Sequence, residues 1–113
     1  MSNNYNRFKD PKHIKWAKDV KKRDNFSCRV CNVRNVYLNS HHLNSFDIFV
    51  SQRFNIDNGI TLCKTHHDDF HKIYGCGKNT VYQFLEFLEI INIIKIITKE
   101  DYDKKARRYR PGV

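Results

Sequence analysis

Residues 57–71 read Asp57-Asn58-Gly59-Ile60-Thr61-Leu62-Cys63-Lys64-Thr65-His66-His67-Asp68-Asp69-Phe70-His71. The Asp-Asn-Gly cluster is a turn signal, and the apolar run Ile60-Thr61-Leu62 behind it predicts a short strand. From Thr65 to Ile73 the spacing suits a helix. Cys63 and His66 straddle the junction as a C-x2-H pair. His67 and His71 lie four residues apart, so a helix puts both imidazoles on one face, a good half-site for a divalent cation. A strand and a helix loaded with ligands in this way call for a second strand and a second pair of ligands upstream.

Both are present. Cys28-Arg29-Val30-Cys31 is a C-x2-C knuckle, and 31 residues, Asn32 to Leu62, separate it from Cys63. Two thiolates three residues apart grip one tetrahedral zinc through a tight turn, and the second half-site completes the coordination. The expected structural zinc site is Cys28, Cys31, Cys63 and His66. Cys76 or His67 is an alternative fourth ligand. Otherwise Cys76, between Gly75 and Gly77, reads as a partly buried thiol without a role. Val36-Tyr37-Leu38 predicts the other strand, which leads into His41-His42. Neighbouring strand residues point to opposite sides. If His41 turns toward the helix pair, His42 faces away, unligated, with a pKa suited to proton abstraction near neutral pH. Five of the six histidines fall between positions 41 and 71. The sixth, His13, reads as a surface residue.

The flanks carry the charge. The chain has 113 residues, 13.6 kDa and a formal net charge of +9, which bounds it to one domain, 1–113, with one modest core. Residues 1–23 sum to +6, residues 101–113 to +3, and residues 24–100 to zero. Two basic ends suit a polyanion, and nucleic acid is the commonest one. Residues 1–12 read as a polar, poorly ordered segment. Lys12 to Arg23 predicts an amphipathic helix with Ile14, Trp16, Ala17 and Val20 inward and lysines outward. The stretch from Leu43 to Asp57 predicts an ordered loop. Thr80 and Gln83 form a capping box for a further helix over 80–97. Its polar residues recur every third position, so their stripe drifts around the axis. That helix is either buried on successive sides or broken near Ile90, and its surplus apolar face packs on the core or binds a partner chain, with core packing favoured. Residues 99–110 read as a short basic helix or tail. No apolar run is long enough to span a bilayer and the first residues lack a signal-peptide core, so a cytoplasmic protein is expected, without membrane contact.

The order Cys28-x2-Cys31, His41-His42, Asn58, Cys63-x2-His66, His67-x3-His71 resembles the HNH endonucleases, a branch of the ββα-metal nucleases, and more narrowly the small phage-type enzymes with a zinc-stapled core. The strings Lys22–Cys28, His41–Asp47 and Ile56–Cys63 carry the likeness, which covers about residues 14–90. The paired histidines also resemble the nuclease domain of DNase colicins. The resemblance implies an α+β fold: a ββα-metal core with a structural zinc, flanked by N-terminal and C-terminal helices. Outside the likeness, residues 1–13 read from their charge as a basic lead-in and 91–113 as a helical extension with a basic tail, and nothing of the family extends to the segment after Ile90. The resemblance implies that His42 is the general base, that His41, His67 and His71 hold a catalytic divalent cation (Mg, Mn, Ni, Co or Zn), and that Asn58 orients His42 through backbone hydrogen bonds. Many relatives have a fourth cysteine where this chain has His66; three thiolates and one imidazole remain an acceptable zinc set. The implied activity is hydrolysis of phosphodiester bonds in double-stranded DNA, as a nick per monomer, in the host cytoplasm if the chain is phage-encoded. Lys15, Lys18, Lys22 and Arg23 at one end, and Lys104, Lys105, Arg107, Arg108 and Arg110 at the other, would hold the backbone without reading sequence. Arg53 reads equally as a phosphate contact or a surface charge. Two rivals are a non-catalytic zinc-stabilised nucleic-acid-binding module and an accessory subunit of a larger DNA-processing complex. The second would dock a protein partner or a second copy through helix 80–97.

Overall fold

The computed structural model describes residues 5–108, with side chains over 5–98. It is a small α+β arrangement with three helices and one two-stranded antiparallel sheet.

The N-terminal segment is ordered from Tyr5 onward, contrary to expectation, because its polar residues bond to one another. Asn6 caps a 3-10 turn at Arg7–Lys9, accepting from the Phe8 amide. Asp10 then accepts from the Lys12 amide and from the Tyr5 hydroxyl at 2.8 Å, capping helix α1 (Pro11–Arg23), with Pro11 in the first turn, where a missing N–H costs nothing. The buried face of α1 is His13, Trp16 and Val20, with Ala17 half-buried. Ile14 is exposed and His13 takes the inward place expected of it. His13 is only 5% exposed, a correction to its reading as a surface residue. The reason is a contact across the fold: the His13 ring packs edge-on against Phe46 as well as Phe8, and beside Trp16.

Strand β1 (Leu38–His42) pairs antiparallel with β2 (Gly59–Cys63), in the register Leu38 to Cys63 and His42 to Gly59. Val36 and Tyr37, expected in the first strand, lie before it and are exposed. A two-stranded ribbon alone is marginal, and here each face is covered. Ser40 Oγ bonds the Ala17 carbonyl at 2.7 Å and the Thr61 amide bonds Asp24, so one face meets α1. On the other, Leu62 joins Phe70 of helix α2 (Lys64–Tyr74) and Phe84 and Phe87 of helix α3 (Val81–Arg108) in the core. The 43–58 connection is ordered by two further 3-10 turns, Val50–Gln52 and Ile56–Asn58.

Gly59 allows α1 to approach. A Cβ there would lie 2.5 Å from Val20 Cγ2 and 2.7 Å from Trp16 Cζ2. Both neighbours are buried and cannot swing away. The Gly59→Ala protein is therefore expected to lose about 1–3 kcal/mol of stability from overpacking. Denaturant titration measures this, and a midpoint equal to the wild type would contradict such close contact.

Helix α3 begins at the expected capping box: Thr80 Oγ1 accepts from the Gln83 amide and Gln83 Oε1 from the Thr80 amide, at 3.3 and 3.1 Å. It does not break near Ile90. It also does not bury its apolar surplus: Phe84 and Phe87 are buried and Leu88 and Ile91 partly so, but Ile93, Ile94, Ile96 and Ile97 are about half exposed. A helix of 28 residues is about 42 Å long. The described fold measures 74 × 26 × 23 Å, so α3 outruns the body it starts on. No helix among the described residues is long and apolar enough to cross a membrane.

Candidate functional site

The two cysteine pairs converge. Backbone bonds Cys28 N–H to Val33 O (3.0 Å) and Asn32 N–H to Cys28 O (2.8 Å) close the knuckle, with Asn32 in the left-handed region at φ 63°, which asparagine tolerates. The Arg29 amide bonds the Thr61 carbonyl, laying the knuckle on β2. Cys31 Sγ lies 3.9 Å from Cys63 Sγ, and His66 Nδ1 lies 3.3 Å from Cys63 Sγ and 3.8 Å from Cys28 Sγ. Donor atoms of a tetrahedral zinc with bonds of about 2.3 Å to sulfur and 2.0–2.1 Å to nitrogen stand roughly 3.5–3.8 Å apart. The four ligand atoms, all within 4.8 Å of one another, can thus hold a metal ion, and the set suits a structural zinc. Burial pushes the Cys28 thiol up, yet the N–H groups of Cys63, Cys31 and Val30 and the nearby His66 outweigh it and hold Cys28 below the usual thiol range. The fourth member of this group is His66; Cys76 is exposed, not partly buried, and His67 falls in another group.

That second group is His41, His67 and His71, whose ligand nitrogens lie within 4.8 Å of one another. His71 Nδ1 donates to the Gly75 carbonyl at 2.7 Å, and its Nε2 faces His67 Nε2 at 3.1 Å. A metal–nitrogen bond of about 2.0–2.1 Å implies a separation near 3.3 Å. His41 Nε2 is buried and has no hydrogen-bond partner among the described residues. An orphaned imidazole nitrogen aimed at two others fits a cation. Burial, then the neighbouring imidazoles, push His41 down to about 3, and burial also lowers His67.

His42 turns to the opposite face, as alternation requires. Its ring stacks on Trp16 at 3.7 Å between centroids and 10° between planes, with Phe46 edge-on at 5.5 Å. Its Nε2 donates to the Arg53 carbonyl at 2.9 Å, so Nδ1 is the acceptor of the neutral ring. Burial drives its pKa down to about 4; the Arg53 carbonyl opposes this, and the Arg7 charge adds to it. The buried Asn58 fastens the loop between the strands: Oδ1 accepts from the Asn44 amide at 2.8 Å, while Nδ2 donates to Asn44 O at 2.9 Å and Gln52 O at 3.2 Å.

The structure separates the expected basic contacts. Lys18 and Lys22 are exposed on α1, and Lys15 is exposed in an ion pair with Asp19. Arg23 is placed differently: its guanidinium bonds Asp24 and the carbonyls of Ile56 (2.7 Å) and Gly59 (2.7 Å), knitting α1 to β2. Burial raises the Asp24 carboxyl, but the bonds from Arg23 and the Thr61 amide prevail and hold it below its usual range. Arg53 lies over the Phe46 ring at 4.2 Å and donates to the Phe46 carbonyl. The side chains of Lys104, Lys105, Arg107 and Arg108, and the whole of Arg110, fall outside the described residues. Sequence reasoning missed Arg7, whose guanidinium sits between the Phe8 and Phe46 rings at 5.0 and 4.9 Å, and the carbonyls of Arg53 and Gly75. The Gly75 break was the available signal for the last of these.

A groove of about 730 Å³ joins these parts, with His41, His42, His67 and His71 all on its wall. Because His41 and His42 stay neutral in the fold, acid opposes folding. The unfolded chain takes up these protons near pH 6.5, the folded one only near 3 and 4. Stability present above pH 6.5 is expected to fall as pH drops toward 4, by on the order of 2 kcal/mol per imidazole. Melting curves at pH 7.5 and pH 5 test this; equal midpoints would refute it.

Compared with protein-family models, curated proteins and solved structures, the chain finds no match in any of the three.

Proposed function

We propose that the protein is a metal-dependent DNA endonuclease of the HNH type, with a structural zinc and a second, catalytic cation. One observation carries the reading: consecutive residues His41 and His42 point to opposite faces of β1, the first toward His67 and His71, the second onto Trp16, yet both border one groove. This supports separate duties for two adjacent imidazoles.

When bound, the divalent cation supplies charge neutralisation at the phosphoryl and leaving oxygens. His41, His67 and His71 would hold it, and the Gly75 carbonyl keeps the His71 nitrogen correctly turned. Imidazole ligands accept Mg, Mn, Ni, Co or Zn. His42 Nδ1 takes the proton of the attacking water, while the Arg53 carbonyl fixes the tautomer. Its low pKa keeps it neutral across the physiological range, though less basic than a free imidazole. A phosphodiester anion in the groove favours the imidazolium and so strengthens the base as substrate arrives. Asn58 holds the loop that carries Arg53, and through it His42.

The test is conversion of supercoiled plasmid to open circle by the zinc-loaded protein, with added Mg or Mn. EDTA should abolish it. Cleavage that persists in excess EDTA would overturn the reading. The half-exposed isoleucines of α3 favour an additional feature, a partner chain docked on that helix within a larger DNA-processing complex.

A further inference from the structure

The groove is more than a cation site with a base beside it. Its wall continues past the histidines to three aromatic side chains that the reaction does not use: Phe8, Phe26 and Tyr37. They are 67%, 48% and 75% exposed. Lys18 and Lys21 of α1 and the half-buried Arg7 line the same groove. Exposed rings and cations thus share the lining of one groove.

Phe26 is the telling residue. It follows α1 in the left-handed region at φ 51°, directly after Asn25 at φ 56°. Its amide bonds the Lys21 carbonyl at 2.8 Å, closing the helix end. Glycine or asparagine serves that bend without strain, whereas a bulky aromatic there is an outlier. The strain brings only partial burial in return, since Phe26 remains 48% exposed. Strained residues cluster at active sites and ligand contacts.

A continuous duplex does not use such a wall. Its bases stack on each other and present phosphates outward, so exposed rings would face charged oxygens. A strand with unpaired bases offers a π-face at every nucleotide and a phosphate between each pair, which suits a groove that carries both exposed rings and lysines. The groove volume, about 730 Å³, is also on the scale of small-ligand pockets, suited to a few nucleotides of one strand.

From this we infer that the substrate held in the groove is single-stranded DNA, with bases stacked on Phe26, Tyr37 and Phe8 and phosphates on Lys18, Lys21 and Arg7. The inference rests on the nuclease reading for the place of cutting, and it replaces the duplex expected from sequence.

Binding is measured by fluorescence anisotropy in EDTA-free buffer, with zinc-loaded His42→Ala protein and a labelled twelve-nucleotide oligothymidylate or a hairpin duplex of equal charge. Phe26→Asn keeps the left-handed bend, and Tyr37→Ser alters a side chain the fold barely touches. Each is expected to weaken single-strand binding on the order of tenfold, with duplex binding and melting temperature unchanged. Equal losses for both ligands, no loss for either, or no single-strand binding at all would overturn the assignment. Because binding is read without cleavage, ring-dependent single-strand affinity in a protein that cuts neither plasmid nor single-stranded DNA would remove the nuclease reading and leave this one standing.

Discussion

Cys28→Ser protein is expected to lose its cooperative unfolding transition, as is wild-type protein stripped of zinc by a strong chelator. The buried core is small: Trp16 and Val20 on one side of the ribbon, Leu62, Phe70, Phe84 and Phe87 on the other. A domain of this size seldom accumulates more than a few kcal/mol from such a core. Structural zinc contributes apparent binding energies of about 10–16 kcal/mol in small peptide modules, against total stabilities of about 5–15 kcal/mol for whole domains. A zinc held by the cluster would tie the Cys28 knuckle to the end of β2 and the first turn of α2, so losing one thiolate would untie all three. Circular dichroism melts and zinc stoichiometry report the outcome. Cys76→Ser is the control, because that thiol is exposed and outside the cluster. A Cys28→Ser variant that melts like wild type and still binds one zinc at this site would show that the cluster is not a staple.

The second large effect is at His42. Removing a general base slows turnover by about 10²–10⁴-fold. Truncation to alanine also removes a ring stacked on Trp16, which confuses chemistry with packing. His42→Phe separates them: it keeps an aromatic face against Trp16 and has no nitrogen to accept a proton. Both variants are expected to lose plasmid nicking by that factor, with DNA affinity near wild type and the His42→Phe melting temperature little changed. Turnover within tenfold of wild type in His42→Phe would remove the imidazole from the reaction.

The pairs within each group were legible because their spacing is local, whereas the choice of His66 over Cys76 or His67 needed the fold. C-x2-C, C-x2-H and H-x3-H are short-range relations, and a knuckle, a strand end and a helix turn each hold their geometry locally. Strand alternation likewise parted His41 from His42 in advance. His13 was illegible because its burial comes from Phe46, more than thirty residues away, and no local pattern announces that contact. Arg23 shows the same limit: a terminal arginine on a basic helix reads as free charge until carbonyls from Ile56 and Gly59 come within reach. The carbonyls of Arg53 and Gly75 carry no side-chain identity, so sequence could not single them out. Helix α3 failed differently. A three-residue polar period left its wet face undefined, and nothing local states where the body ends and the isoleucines of its later turns lose cover.

The opposed imidazoles of β1 also constrain assembly. They are joined by a single peptide link, so sliding that strand by one position against β2 would exchange them. His42 would then face His67 and His71, and His41 the indole of Trp16, so both proposed tasks would fail together. Asn58, gripping the chain just past His42 at Asn44, resists that slip. Correct threading of the hairpin and the paired placement of the two histidines are therefore one event, and a chain misaligned by one notch loses both placements at once.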